Sequence, residues 1–496
     1  MAKNLFELLA LLPKAQVLGE AGKKIESITA DSRKVGPGTL FVCLAGARVD
    51  GHDFIDQAHN LGAVAVVVEK DIPVPAGMTV IRVVDSREAM QKIVPFFYDY
   101  PGRKMRMIGV TGTNGKTTTT HLIRSIFMQA GYKVGLIGTI HILIGDRMLP
   151  VQNTTPDVVD LQSTLAEMAA EDVDYVIMEV SSHALELGRT AGCEFDVGVF
   201  TNLTQDHLDF HITFDKYRDA KAKLFCQLGD TQAVKQGKHA IINMDDASAA
   251  ALLQQCSCPV ITYGTDESST IRAQEMIIKA AGAQFTVNGP FGLMPLQLKI
   301  TGMFNVYNAL AAISAAWAEG IESSLIQKAL EEFLTVPGRF ELVDEGQPYA
   351  VIVDYAHTPD GLENILKTAQ QFAERRIIVV FGCGGDRDKT KRPIMGRLAA
   401  LYGDVIIATS DNPRTEDPVA ILADVEAGIR QGLANGKGYE VIVDRKQAIA
   451  KALQVAEPRD IVIIAGKGHE TYQILKDKTI DFDDRQVARS IIREMR

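Results

Sequence analysis

The chain reads as an α/β protein of three modules joined by two short hinges, and three observations predict this. At about 150 residues per domain, its 496 residues correspond to roughly three domains. Through the middle, strand-sized apolar runs alternate with amphipathic helical patterns, the signature of a mostly parallel sheet. Beyond Pro337-Gly338-Arg339, four apolar strands each run into a polar or glycine-rich loop. In an open α/β sheet such loops project from the carboxyl ends of the strands, where ligands bind.

Composition narrows the function classes. Hydrophobic residues make up 46% and charged residues 23%, the balance of a globular rather than a disordered chain. With 52 Lys plus Arg against 62 Asp plus Glu, the net charge of −10 offers no basic track along which a polyanion would lie. Nucleic acid is therefore not an expected partner, although local pockets for small phosphates remain open. The first residues lack the basic region, apolar core and cleavage site of a signal peptide. No apolar run approaches the roughly 20 residues of a membrane span, so no membrane insertion is expected. The six cysteines are scattered, and the one close pair, Cys256-Ser257-Cys258, lacks the second pair of a zinc knuckle. Reduced thiols and a cytoplasmic location follow as expectations.

The elements follow in chain order. From Met1 to Tyr100, β-rich runs such as Thr39–Leu44 and Ala63–Glu69 are separated by turns like Val35-Gly36-Pro37-Gly38, and a boundary near Tyr100-Pro101-Gly102 closes a module of residues 1–102. The second module, residues 103–336, opens with a strand over Met107–Val110. Its first helix places Leu122, Ile123, Ile126, Phe127 and Ala130 on one face and stops at Gly131. An Ala- and Leu-rich stretch, Asn308–Ala318, predicts a buried helix. In the third module, residues 337–496, strands Ala350–Val353, Ile377–Phe381, Val405–Thr409 and Ile461–Ala465 lead into DYAHTPD, GCGGDRD, SDNPRTEDP and GKGHE.

Between the strand at Met107 and its helix stands Thr111-Gly112-Thr113-Asn114-Gly115-Lys116-Thr117-Thr118. Small residues here let backbone N–H groups curl round phosphate oxygens at a helix N-terminus. Lys116 would reach the β- and γ-phosphates and the Thr117 hydroxyl would sit on Mg2+. Val110 occupies the first glycine position of the strict GxxxxGK[ST] pattern, yet strand, Gly-Lys-Thr and helix together predict a P-loop that binds ATP. A second strand, Tyr175–Val180, ends on Glu179, a carboxylate placed for a metal beside the loop. The strand Val197–Leu203 runs into a segment with Asp206, His207, Asp209 and His211 but no His-Glu-x-x-His pattern. Spacing alone makes that segment a hydrogen-bonded structural cluster.

TGTNGKTT, EVSSH at 179–183, TNLTQDHLDFH at 201–211, YRDAK at 217–221, GMFN at 302–305 with Asn308-Ala309, and DYAHTPD at 354–360 together resemble the Mur ligases, ATP-dependent enzymes of peptidoglycan precursor synthesis. The likeness runs from Asp31-Ser32-Arg33 to Glu470. It implies an N-terminal UDP-binding domain, a central ATPase domain with a mostly parallel sheet, and a Rossmann-like C-terminal domain. Asp411-Asn412-Pro413-Arg414, Gly384-Gly385-Asp386-Arg387 and Gly466-Lys467-Gly468-His469-Glu470 resemble the branch that adds meso-diaminopimelate to UDP-N-acetylmuramoyl-L-alanyl-D-glutamate. The alternatives are the L-lysine-adding sister branch, folylpolyglutamate synthase and, in another class, a P-loop binding protein without ligase activity. A dinucleotide enzyme is disfavoured because Arg387 replaces the third glycine after Gly382 and Gly384.

The resemblance also implies a site map and a monomeric enzyme. Ala30, Ser32 and the backbone from Ala47 to Val49 resemble the uridine-nucleotide site, and Asn153, Thr154, Thr155, Ser181 and Arg189 the sugar-peptide contacts. Leu187 stands where some relatives carry Gln, so that amide contact is not carried over. Gly112 to Thr118 would hold the ATP phosphates, and Asn305, Arg339 and His357, with Asp354 nearby, the adenine and ribose side. Thr117 and Glu179 would hold one Mg2+, His207 and a carbamylated Lys221 a second. Taken without the family, Lys221 reads as a surface helix lysine and Arg414 as a solvent residue of an Asn-Pro turn. With it, Arg414 aided by Arg387 grips the carboxylate of the incoming amino acid, Glu470 pairs with its ammonium, and Asp411, Asn412, Pro413 and Gly466 complete the pocket. Hinges near Gly102 and Gly338 would close the outer domains on the central one.

Overall fold

The structure, a computed structural model, describes residues 2–495 apart from 47–48, 152, 231–233, 280–281 and 435–436, and describes Asp209 without its side chain. Three large sheets follow one another along the chain. The first has five strands in the order Gln16–Leu18, Thr79–Arg82, Ala63–Val68, Thr39–Val42 and Ser27–Thr29, all parallel except the first pair. Side chains alternate between its two covered faces. Leu40, Val42, Ala65 and Val67 join one core, and Phe41, Cys43, Val66 and Val68 the other. Burial on both faces explains why these strands read as continuous apolar runs.

The central sheet has eleven strands, in the order Arg147–Leu149, Ile142–Ile144, Val134–Ile137, Tyr175–Glu179, Arg106–Thr111, Val197–Phe200, His239–Asn243, Val260–Gly264, Ile271–Lys279, Gly282–Gly289 and Gly292–Leu298. The seven from Val134–Ile137 to Ile271–Lys279 pair in parallel. Antiparallel strands extend both edges. In the last two strands buried and exposed residues alternate, because only one face packs, on the helix Ser323–Glu332. The helix predicted from Asn308 begins earlier, at Met303, and is buried through most of its length beside the phosphate-loop helix Lys116–Gln129.

The third sheet orders Glu341–Leu342, Ala350–Asp354, Ile461–Ala465, Ile377–Phe381, Val405–Thr409 and Gly438–Ile442, parallel except at its first pair. The last in sequence of the four predicted strands inserts between the first two, and with all four parallel the loops after residues 354, 381, 409 and 465 leave from the same end of the strands. Among the described residues no helix is long and apolar enough to cross a membrane, and the six cysteines are unpaired.

Candidate active site

The phosphate loop leaves the central strand Arg106–Thr111 with parallel neighbours on either side. The register sets Glu179 opposite Val110, so its carboxylate reaches the loop at the strand end. Gly115 adopts φ 84°, and a Cβ there would run into Asn308 Oδ1, so only glycine fits. Thr113 and Asn114 hold the loop's shape around it, and Thr118 is buried in the first turn of the helix. The Asn114 N–H donates to Asn202 Oδ1 at 2.9 Å, and Thr113 Oγ1 lies 3.1 Å from the Tyr217 hydroxyl. Lys116 folds back onto its own loop, donating to Gly112 O at 2.9 Å and Thr113 O at 2.8 Å. Burial lowers the basicity of its amine.

Glu179 is buried and accepts from Thr117 Oγ1 at 3.0 Å, Thr139 N at 2.9 Å and Thr139 Oγ1 at 3.0 Å. Thr154 Oγ1 lies 3.1 Å from Thr139 Oγ1, and Thr155 Oγ1 donates to Glu179 O at 2.8 Å and accepts from Ser181 N at 3.0 Å. Ser181 caps the short helix behind it, and Arg189 reaches Thr155 O at 3.3 Å while pairing with Asp157. Of the residues assigned to the sugar-peptide, Thr155 thus bonds the Glu179 main chain and Thr154 reaches the Glu179 carboxylate through Thr139. Asn153 is exposed beside them. Leu187 O instead receives the Gln91 amide, from the N-terminal module, at 3.1 Å.

Lys221 is not the surface lysine its pattern suggests. It lies on the helix Phe214–Leu228 with 2% exposure, donates to Gly112 O at 2.8 Å and sits 4.6 Å from the Tyr217 ring. Burial pushes its amine well below the usual lysine range, and the Lys116 charge adds to this. His207, at φ 55°, packs its ring 5.9 Å from Tyr217 and 4.8 Å from His183, with Nε2 3.4 Å from Asp206. His211 Nε2 lies 2.9 Å from Ser182 Oγ, which fits the structural-cluster reading for that histidine. Among the described residues no three His, Cys, Asp or Glu side chains form a ready metal cage. The Thr117 hydroxyl and Glu179 carboxylate are nonetheless the hard oxygen donors that suit Mg2+, which otherwise keeps water and substrate phosphate as ligands.

The third sheet meets this loop directly. Arg339 donates to Thr117 Oγ1 at 3.2 Å and stacks 4.7 Å from the Tyr355 ring, which puts the guanidinium beside the Gly-Lys-Thr turn. Asp360, which the sequence reading did not single out, accepts from Asn114 Nδ2 and, at 2.9 Å, from Thr204 Oγ1. Asn305 is buried, bonded to Thr301 O and Asn308 Nδ2, and braces the glycine turn from behind. Asp354 Oδ2 accepts the Phe340 N–H at 2.6 Å, and His357 Nδ1 lies 2.8 Å from Tyr355 O.

Between the central and C-terminal modules lies a cavity of about 680 Å3. His183 and His207 line one side, Arg387, Asp411, Arg414 and Glu470 the other. Arg414 does not stand free in solvent. It is half-buried at φ 52°, and its guanidinium donates to Gly385 O at 2.9 Å. Arg387 is exposed and donates to Asp386 O at 3.0 Å. Asn412 Nδ2 donates to Glu470 Oε2 at 2.9 Å, and the buried Asp411 keeps Oδ2 unpartnered against Gly466. Pro413 is buried on Gly385. Ala30 and Ser32 lie at the end of Ser27–Thr29 in the first sheet, flanking an Asp31 held to about 2 by Arg33. Of the segment from Ala47 to Val49, Ala47 and Arg48 lie outside the described residues.

Family models match in three successive segments. They are "Mur ligase family, catalytic domain" over residues 24–98, "Mur ligase middle domain" over 110–316 and "Mur ligase, glutamate ligase domain" over 338–468. A UDP-N-acetylmuramoyl-L-alanyl-D-glutamate–2,6-diaminopimelate ligase from Geobacillus thermodenitrificans is 50% identical over 489 residues, 99% of each chain. The protein of that name from Bacillus cereus is 48% identical over 489 residues, 99% of this chain and 98% of its own. A solved structure under the same name superposes with a TM-score of 0.70 at 33% identity, covering 100% of this chain and 99% of that one. The MurF ligase from Thermotoga maritima in complex with ADP shares the fold, with a TM-score of 0.61 at 18% identity over 95% and 96% of the two chains. On this identity and coverage, the chain belongs to the Mur ligase family.

Proposed function

We propose that this protein is an ATP-dependent amide ligase that joins meso-diaminopimelate to the D-glutamyl γ-carboxylate of UDP-N-acetylmuramoyl-L-alanyl-D-glutamate, in peptidoglycan precursor synthesis. The observation that carries the reading is the cavity that sets the half-buried Arg414 and the acidic Asp411 and Glu470 across from the phosphate-loop side of the central module. The relatives' shared name supports the same substrates. Residues 1–102 would bind the nucleotide through Ala30 and Ser32, residues 103–336 ATP, and residues 337–496 the amino acid.

In this reading Gly112 to Thr118 cradle the ATP phosphates, and Lys116 swings from its own carbonyls to the transferred phosphoryl group. Arg339 neutralises charge beside it, while Asn305 keeps the loop in shape and His357 lines the nucleotide side. Thr155, Ser181 and Arg189 orient the peptide so that its γ-carboxylate attacks the γ-phosphorus in line, releasing ADP and leaving an acyl phosphate. The amine of diaminopimelate then attacks the acyl carbon, phosphate departs, and the amide forms. Arg414 and Arg387 hold the distal carboxylate and Glu470 the ammonium. Mg2+, held by Thr117 and Glu179 and by His207 with a carbamate on Lys221, would offset phosphate charge. With its basicity lowered by burial, the Lys221 amine is the more ready to add CO2 and lose a proton to become that anion.

Lysine lacks the second carboxylate and would leave the Arg414 charge without a carboxylate partner, which sets the sister reaction at a disadvantage. The reading carries with it a monomeric enzyme of the cytoplasm, a compartment that keeps thiols such as the six unpaired cysteines reduced. The test is incubation with ATP, Mg2+, the nucleotide dipeptide and meso-diaminopimelate. A product of the summed mass less water, with one ADP per product, is expected. ADP without that product would contradict the ligase reading.

A further inference from the structure

The GKGHE loop resembles a phosphate loop in composition, but its lysine is turned the other way. Gly466, at φ 122°, and Gly468, at φ 51°, flank Lys467. A Cβ on Gly466 would stand 2.6 Å from Asp411 Oδ2, and one on Gly468 2.6 Å from Gly338 O and 2.7 Å from Tyr355 N. The two glycines let the loop press against its neighbours and drive Lys467 inward, to 0% exposure. A lysine ammonium this deep stays only where its donors are satisfied.

Lys467 Nζ donates to Glu470 Oε2 at 2.9 Å and to Asn412 Oδ1 at 3.1 Å, and lies 5.5 Å from the Tyr472 ring. The Ile474 N–H also donates to Asn412 Oδ1, at 2.9 Å. Two donors on that oxygen fix which way the amide faces, so Asn412 Nδ2 points to Glu470 Oε2, at 2.9 Å. Glu470 Oε2 thus takes both an ammonium and an amide, which leaves Oε1 as the carboxylate oxygen available to the cavity.

We infer that Lys467 is a positioning residue for amino-acid specificity: through Asn412 and Glu470, it presents one carboxylate oxygen to the ammonium of the incoming diamino acid. The inference rests on the proposed diaminopimelate reaction. With methionine in its place, Glu470 loses a charge-assisted bond and the Asn412 amide loses one of the two donors that orient it.

The test is steady-state phosphate release by the full-length enzyme, with each substrate varied in turn and thermal melting recorded for every variant. Lys467→Met is expected to raise KM for meso-diaminopimelate by about tenfold or more, with KM for ATP and for the nucleotide dipeptide within about twofold. Glu470→Gln is expected to raise the same KM, and the double variant to be no worse than Glu470→Gln alone, because both act through one carboxylate. Lys467→Gln, which keeps a neutral donor, is carried in parallel in case the methionine variant does not fold, and should show a smaller rise. An unchanged KM for diaminopimelate, equal rises for all three substrates, or multiplicative effects in the double variant would overturn the inference. Wild-type enzyme that releases no phosphate with diaminopimelate would instead defeat the functional reading on which it stands.

Discussion

Lys221 owes its chemistry to its surroundings rather than to its pattern. Its helix carries charged residues on either side of it, and only the fold shows that its amine is sealed between Gly112 O and Tyr217. If that amine carries a carbamate, protein equilibrated with 13C-labelled bicarbonate should show a carbamate carbon resonance that disappears in Lys221→Arg. A spectrum identical in the two proteins would remove Lys221 from the proposed Mg2+ site. Other residues of the site were readable in advance because the chemistry needs a fixed local order, as with Gly115, Lys116 and Thr117. Asp360 and Lys467 were not. Each sits inside a motif whose other members attract notice, and its role depends on a partner from a distant segment, Asn114 for one and Asn412 for the other.

At the scale of elements, the strands buried on both faces were the most legible, since continuous apolar runs such as Ile377–Phe381 and Ile461–Ala465 admit few other readings. The antiparallel strands from Ile271 to Leu298 were not distinguished, because one-sided burial gives an alternating pattern that a search for helix-strand units passes over. The helices Lys391–Tyr402 and Pro418–Gly432 show what pattern cannot convey. They approach so closely that a Cβ on Gly428 would run into Pro393 O and one on Gly396 into Val425 O. Gly428→Ala should therefore destabilise the protein by about 1–3 kcal/mol, read as a lowered unfolding midpoint in urea. An unchanged midpoint would mean that the helices can separate without loss.

The same pair is clasped by Arg392, 1% exposed at its side chain, which reaches Glu416 at 2.9 Å and Asp424 at 3.0 Å. The hydrogen bond from Arg392 lowers the Glu416 carboxyl from 4.5 to about 2. Its stabilisation is present above the ordinary glutamate range and is lost as pH falls through about 2. The melting-temperature gap between wild type and Glu416→Gln should thus narrow as pH drops from about 4.5 towards 2. A gap independent of pH would show that the pair contributes nothing through its charge.

At the scale of the whole molecule, the proposed chemistry depends on bringing the proposed ATP loop of the central sheet to the proposed amino-acid pocket of the third. The polar contacts at the junction include Arg339 to Thr117 and Asp360 to Asn114 and Thr204, beside the Phe304–Phe340 ring contact. Asp360→Ala should raise KM for ATP by about five- to tenfold with little change in melting temperature, because it removes a contact between modules rather than a core. A fall in stability without a change in KM would place Asp360 in folding instead. The three-module organisation was legible from length, turns and strand-loop pairs, whereas the junction was not, since no local pattern records which loop faces which.

In the proposed reaction this pocket selects an amino acid with a second amino-carboxylate head. The most direct test measures phosphate release from ATP in the presence of UDP-N-acetylmuramoyl-L-alanyl-D-glutamate, with meso-diaminopimelate or L-lysine supplied in parallel. Release with diaminopimelate and at least about a hundredfold lower kcat/KM with lysine is the predicted result, since lysine leaves Arg414 without its carboxylate. Equal or faster release with lysine would contradict it.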